Sequence, residues 1–289
     1  MILRQLRDTE ADTEAVREIS RAAFSALTPG STRRPTEAED VFQRARAGHL
    51  ATSDPQGCWL ALQDGVPIGF ALSARRESLW LLALTAVLPE YQGNGVGRLL
   101  LERTLEHGRG CLRGMITVSV DPRAARRYRK AGFTLHPTMK LSGQVDRSAL
   151  LDAGELPVHR GTTGHLHLLD SIDRRLRDAA HGVDHGLMLR HYEELLVVDT
   201  MTGTGYCYRD GGTIKLLAAT SRHMAARLLR EALARVPEGT EAKVEWITAE
   251  QEWAVDVGLD LGLTVENRGY LALRGMRPPA PYLPSGGFL

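Results

Sequence analysis

Apolar positions in the first half of the chain switch repeatedly between the strand period of two and the helical period near 3.6. Ile2–Leu6 reads as a short strand. Ala11, Ala15, Ile19 and Ala23 then recur at helical spacing behind Asp8 or Thr9, which predicts a capped helix running to about Phe24. The polar segment Thr28–Pro35 interrupts the pattern. Thr36 followed by Glu39 forms a capping box and predicts a second helix over Thr36–Ala47. Trp59–Gln63 and Pro67–Ser73 predict a hairpin about Asp64-Gly65. Leu79–Leu88, apolar but for Thr85, reads as a strand buried on both faces. Helix Gly97–His107, strand Met115–Val120, helix Arg123–Ala131 and strand Phe133–Leu141 follow.

The pattern lapses over Ser142–Gly164, where Gly143, Gly154, Pro157, Gly161 and Gly164 mark a linker. Beyond it the periodicity predicts a helix through Leu168–Ala180 and strands near Leu195–Val198, Gly205–Arg209 and Thr213–Ala219. Helix Arg222–Val236, strand Lys243–Thr248, helix Glu250–Leu261 and strand Leu263–Leu273 complete the series. The strand–helix–strand–helix–strand order of 79–141 thus recurs over 213–273, and Gly132-Phe133-Thr134 has a counterpart in Gly262-Leu263-Thr264. This is the signature of a duplicated unit. The expected class is α/β, in the α+β sense of a mixed sheet, with two tandem units, each a mostly antiparallel mixed sheet flanked by helices. The expected division is a first domain over 1–145, a linker over 146–164 and a second domain over 165–289.

Composition narrows the function. Lys and Arg total 36 against 35 Asp and Glu, a formal net charge of +1, so the basic surplus of a general nucleic-acid binder is missing. Cys58, Cys111 and Cys207 are far apart and read as reduced, buried thiols. The first residues, MILRQLRDTEAD, lack the apolar run of a signal peptide, and Leu79–Leu88 is half the length needed to cross a bilayer. The expectation is a cytoplasmic protein with no membrane partner and no metal.

The segment Val87-Leu88-Pro89-Glu90-Tyr91-Gln92-Gly93-Asn94-Gly95-Val96-Gly97 carries the chemistry. A buried strand ends, and a loop of alternating glycines opens a helix whose first N–H groups lack intrahelical partners. Those amides and the helix dipole suit an anion such as pyrophosphate. Arg98 stands where a dinucleotide fingerprint needs its third glycine, and the Gly-Lys-Ser/Thr of a P-loop is missing.

The Val-x-Pro-x-x-Gln-Gly-x-Gly-x-Gly run, with Leu99-Leu100-Leu101 behind it, resembles the acetyl-CoA-binding motif of the GNAT superfamily of N-acetyltransferases. Ala124–Phe133, with Tyr128 just before Gly132-Phe133, resembles that family's second signature. The resemblance covers residues 1–141, and the second half looks like a motif-poor repeat of tandem-GNAT type. Asp121-Pro122 departs from the family, many members of which carry Asn there. The resemblance implies acetyl-CoA as co-substrate and direct transfer to the primary amine of a small molecule. A non-catalytic acyl-CoA sensor and a protein-amine acetyltransferase are the alternatives. It further implies that the backbone of Ala86 and Val87 pairs with the pantetheine arm. The N–H groups of Gln92, Gly93, Asn94, Gly95, Val96 and Gly97, with Arg98 nearby, would hold the pyrophosphate, and Tyr128 would protonate the leaving thiolate. Glu37, Glu39 and Asp40, on the helix that borders the family's acceptor pocket, are candidate bases, against the plainer reading of solvated helix charges.

The second half lacks both signatures. Thr220-Ser221-Arg222-His223 replaces the glycine loop, and Gly258 holds the place of Tyr128. A single active unit is therefore expected, with Trp246 and Trp253 in the core. Asp173, Arg177 and His181 recur at four-residue spacing and would share a face if the helix runs that far. They suit a polar pocket or a salt-bridged surface, and His181, Asp184 and His185 form a weaker metal set. The tail 278–289, rich in proline and glycine, excludes a helix or central strand and is either a loose terminus or a docked segment.

Overall fold

The computed structural model describes residues 1–26, 35–150 and 157–289, so Thr28–Arg34 of the polar segment and residues 151–156 of the expected linker lie outside the described residues. Packing divides the chain into two compact units, Met1–Gly114 and Met115–Leu289.

The first unit contains β1 (Ile2–Gln5), α1 (Glu10–Ser25), α2 (Glu37–Ser53), β2 (Cys58–Gln63), β3 (Val66–Arg76), β4 (Leu79–Val87) and α3 (Val96–His107). Its strands run β1-β2-β3-β4, each antiparallel to the next. Local chemistry sets the boundaries. The Thr9 side chain accepts from the Asp12 amide and starts α1. The Thr36–Glu39 capping box forms as expected. Asp64 and Gly65 both take positive φ, 51° and 82°, as the tight β2–β3 turn demands. α2 continues past Ala47 to Ser53. Gly48 sits within it because a Cβ there would lie 2.2 Å from Asp8 Oδ1.

β5 (Arg113–Val118) straddles the division. The second unit adds α4 (Pro122–Lys130), β6 (Thr134–Gly143), β7 (His159–Arg160), α5 (Leu166–Arg177) and α6 (Val183–His191). It continues with β8 (Glu194–Thr200), β9 (Gly203–Asp210), β10 (Thr213–Ala219), α7 (Arg222–Ala234), β11 (Ala242–Ile247), α8 (Glu252–Asp260), β12 (Thr264–Arg274) and β13 (Tyr282–Leu283). Its strand order is β5-β12-β6-β11-β10-β9-β8-β7, with β13 on β10. Both tandem sets of elements expected from the sequence are present, in mixed sheets flanked by helices.

The compact division falls at Gly114/Met115 rather than near residue 145. The cause is strand pairing. β6, the last strand of the first repeat, lies between β12 and β11 and is antiparallel to both. Leu141 pairs with Val265 on one side and Val244 on the other, and its side chain joins the core of Leu196, Leu217, Leu228 and Ile247. Gly269 is needed in this sheet because a Cβ there would meet the Val118 carbonyl at 2.3 Å.

Two further expectations change. The helix expected over Leu168–Ala180 ends at Arg177, where Asp178 turns left-handed (φ 59°), and a separate α6 follows. The tail is not loose. Tyr282, Leu283, Ser285, Phe288 and Leu289 are all buried, and β13 pairs with β10. Of the three free cysteines, Cys58 and Cys207 are buried as expected, whereas Cys111 is only partly so.

Candidate functional site

In the first unit the glycine loop leaves the carboxyl end of β4. A bulge at Ala83 precedes it, because Leu84 pairs with Leu72 and Leu82 with Ser73. Ala86 and Val87 remain paired with Phe70 and Gly69 of β3. Gln92 turns back so that its Nε2 donates to the Val87 carbonyl at 2.8 Å, which ties the loop to the strand end. Gly93 and Gly95 adopt φ of 87° and 83°, the left-handed region that favours glycine, and no atom crowds the place of a Cβ at either. Gly95 is the N-cap of α3 and offers no side chain to close it. The amides of Val96 and Gly97 therefore open the helix without intrahelical partners. Gly93 and Asn94 are exposed, whereas the Val96 side chain is buried. The Arg98 side chain is 68% exposed and 3.7 Å from Glu102. Tyr91, in the turn Pro89–Tyr91, is half-buried.

α3 is held at both ends. Leu100 packs so close to Gly69 that a Cβ on that glycine would lie 3.3 Å from Leu100 Cδ1. Trp80 Nε1 donates to the Thr104 carbonyl at 2.9 Å, and the indole leaves no room for a side chain at Gly108. His107, the last residue of α3, lies 3.3 Å from Ser73 Oγ and 3.8 Å from Asp54. Burial pushes its imidazole below the ordinary value, so the neutral form is favoured. These three groups have the order of a nucleophilic triad, but Ser73 is fully buried and donates to the Gly57 carbonyl. They pin the helix.

Among the acidic candidates on α2, Glu39 is spent on its capping box and Asp40 is paired with Arg17 and Arg21. Glu37 is exposed in the first turn.

In the second unit Tyr128 lies on α4, 5% exposed, with its ring edge-on to Phe133. Burial pushes its phenol up to about 12, so the group is protonated at neutral pH. Asp121 caps α4 by accepting from the Arg123 amide at 2.8 Å and pairs with the Arg123 guanidinium. The repeat has lost both features. Ser221 closes the start of α7 by accepting from the Met224 amide. A Cβ on Gly258 would lie 2.5 Å from Leu141 Cδ1, so no tyrosine fits there.

The most concentrated chemistry of the second unit is a fully buried network. Asp173 Oδ2 is 2.7 Å from His181 Nδ1 and 3.1 Å from His185 Nε2, and Oδ1 accepts from the Tyr206 hydroxyl. His181 Nε2 is 2.8 Å from Arg177 Nη1, and His185 Nδ1 is 3.1 Å from the Tyr208 hydroxyl. Asp173 and Arg177 share α5, but His181 reaches them through the turn at Asp178 rather than along one helix face. Tyr206 and Tyr208 were missed in the sequence, although their spacing of two in a strand puts them on one face. Asp173, not Asp184, is the carboxylate that stands with the two histidines, close enough to share an ion. The 2.7 Å contact and the neighbouring guanidinium instead fit direct hydrogen bonds, with Asp173 accepting from both imidazoles.

Residues 13–133 match the family described as Acetyltransferase (GNAT) family. A mycothiol acetyltransferase of Streptomyces griseus subsp. griseus is 36% identical over 88 residues, which is 29% of this chain and 29% of that protein. A putative acetyltransferase from Pyrococcus horikoshii, 17% identical, superposes with a TM-score of 0.76 over 99% of this chain and 95% of its own. A tandem GNAT protein from the clavulanic acid biosynthesis pathway, 14% identical, gives 0.62 over 96% and 99%. These two likenesses show the fold.

Proposed function

We infer, for a chain whose residues 13–133 match the GNAT acetyltransferase family, an acetyl-CoA-dependent N-acetyltransferase acting on the primary amine of a small molecule. The single observation that carries this reading is the open start of α3. Gly93 and Gly95 are both left-handed, Gly95 offers no cap, and the first helical amides face an exposed loop. That arrangement suits a pyrophosphate. The reading assigns the anion to the amides of residues 92–97 with Arg98 beside them. It assigns the pantetheine arm to the main chain at Ala86 and Val87. The Val87 carbonyl already accepts from Gln92, and a carbonyl oxygen keeps a second lone pair for the arm.

In the reaction the acceptor ammonium first gives up a proton, since its ordinary pKa is about 10. The free amine attacks the thioester carbonyl, the C–N bond forms, the nitrogen gives its extra proton to solvent, and the C–S bond breaks with its electron pair going to sulfur. Tyr128 is assigned to protonate that thiolate. A phenol held protonated by burial supports the role. The reading places the protein in the cytoplasm. Among the described residues no helix is long and apolar enough to cross a membrane.

Calorimetric titration with acetyl-CoA, beside desulfo-CoA and NAD, tests the cofactor. Binding of acetyl-CoA at one site per chain, with NAD inert, followed by turnover on a panel of small amines, is the expected result. Binding without turnover on any amine, free or protein-borne, overturns the enzyme in favour of a sensor.

A further inference from the structure

α4 carries charge of a single sign. Pro122–Lys130 holds Arg123, Arg126, Arg127, Arg129 and Lys130 and no acidic residue, in a chain whose formal net charge is +1. The helix divides by face. Tyr128 is buried, whereas Arg123, Arg126 and Lys130 are exposed and Arg127 is half-buried. Arg123, Arg126, Arg127 and Lys130 stand three, one and three residues apart, which strings them along one side of the helix. The stripe is about 10 Å long.

On other helices the arginines are matched by acids a turn away. On α3 Arg103 lies 3.1 Å from Glu106, and on α7 Arg227 and Arg235 both pair with Glu231. On α4 the Arg123 guanidinium is hydrogen-bonded to Asp121, and Arg129 donates to the Phe133 carbonyl at 2.7 Å. Arg126 and Lys130 make neither an ion pair nor a side-chain hydrogen bond among the described residues. Like charges a turn apart repel, so the stripe costs the helix stability that no described contact returns. A local rule broken without such a return is expected where a protein meets a ligand. The stripe also borders the chemistry. Burial pushes the Tyr128 phenol up, and the Arg127 charge reaches the same group and opposes that shift.

We propose that this stripe docks an acidic protein that presents its acyl group on a pantetheine arm, a donor beside acetyl-CoA. The inference rests on the reading of Tyr128 as the acid at the donor sulfur. Two features favour a protein surface over a small anion. The cations are strung over two turns of helix rather than gathered at one point, and three of the four are exposed. An acidic helix laid along α4 meets them in turn, and complementarity of this kind fixes register and speeds encounter. The chemistry is that of the small donor. The acceptor amine attacks the carrier's thioester, the C–N bond forms, and the nitrogen's extra proton goes to solvent. The C–S bond breaks with its electron pair going to sulfur, and Tyr128 protonates the arm's thiolate and regains a proton from solvent.

The probe is a fluorescent acyl carrier protein bearing S-acetyl phosphopantetheine, titrated against the full chain beside acetyl-CoA. Arg126→Glu with Lys130→Glu reverses two exposed charges and relieves the repulsion along α4, so a thermal midpoint equal to the parent's checks that the variant is folded. The expected result is that the parent binds the charged carrier and that binding weakens as salt is raised. The double variant should lose carrier affinity at least about 10-fold and keep acetyl-CoA affinity within about 2-fold. A chain that binds acetyl-CoA but not the carrier, or a double variant that keeps the carrier, overturns the proposal alone. Loss of acetyl-CoA affinity in the double variant gives the stripe to the phosphates of CoA itself, and binding of tRNA in place of the carrier gives it to RNA. Both overturn the proposal. A parent chain that binds neither acetyl-CoA nor the carrier takes down the acetyltransferase reading as well.

Discussion

His181 Nδ1 lies 2.7 Å from Asp173 Oδ2 with both side chains fully buried. Burial pushes His181 down to about 4, and the Arg177 charge adds to the shift, while Asp173 opposes it. The unfolded chain therefore binds more protons than the folded one between about pH 4 and the ordinary 6.5. This contribution to stability is complete above that window and is lost as pH falls through it. His185, which also faces Asp173, adds to the downward shift of His181. Urea unfolding midpoints at pH 7.5, 6.5 and 5.5 should fall in that order, and His181→Asn should flatten the trend. A midpoint that rises toward pH 5.5 would show His181 to be charged in the fold.

Asp173→Asn should be among the costliest changes in the second unit. The carboxylate accepts from His181, His185 and Tyr206, and burial alone would push its pKa up. The imidazole contacts outweigh burial and keep it ionised. An amide replaces one acceptor oxygen with a donor facing other donors, at a cost of about 3 kcal/mol. A urea midpoint within error of the parent would refute the network as drawn.

Asp54→Ala removes the carboxylate shared by the Arg76 guanidinium at 2.8 Å and the Arg75 amide at 2.8 Å. Arg76 is 8% exposed, so the loss should be about 3 kcal/mol. Pairing the change with Arg76→Met should restore part of it, because no buried charge is then left. Equal stability of the single and double variants would argue that the pair contributes little.

What the sequence disclosed was local, and what it hid depended on distant partners. Thr9, the Thr36–Glu39 box and Asp64-Gly65 each set a boundary through atoms a few residues away, and each was legible. The loop 92–97 was legible for the same reason, since its glycines act through their own φ. The allegiance of β6 was not, because Leu141 is claimed by Val244 and Val265, both far along the chain. The break at Asp178 was hidden by continuous apolar spacing, although it is this turn that brings His181 back to Asp173. The tail showed only that it could not be helical. Its place on β10 is set by Gln251 and Arg177, which carry no local sign of that partner.

Tyr128→Phe should separate binding from chemistry. The ring keeps its buried contact with Phe133, so the fold and acetyl-CoA affinity should be unchanged. Loss of the phenolic proton should lower kcat by roughly 100-fold or more, within the usual range for a general acid. With the phenol pushed up to about 12, the parent enzyme's rate should not fall through loss of this proton below pH 10. An unchanged kcat would release Tyr128 from its assigned role.

Gly95→Glu addresses the site where fold and function are most tightly joined. The residue is left-handed at φ 83°, which costs a non-glycine residue about 1–2 kcal/mol. No atom lies within 4 Å of the position its Cβ would take, so the side chain enters open space and leaves the core intact. The new carboxylate sits at the amides assigned to the pyrophosphate and competes with it as one anion against another. Acetyl-CoA affinity should therefore fall at least about 100-fold, with a thermal midpoint lowered by no more than a few degrees. Gly95→Ala, which brings the strain without the charge, should fall between the two. The ordering of the three chains separates geometry from electrostatics. Parent-like affinity in Gly95→Glu would remove the pyrophosphate from the start of α3.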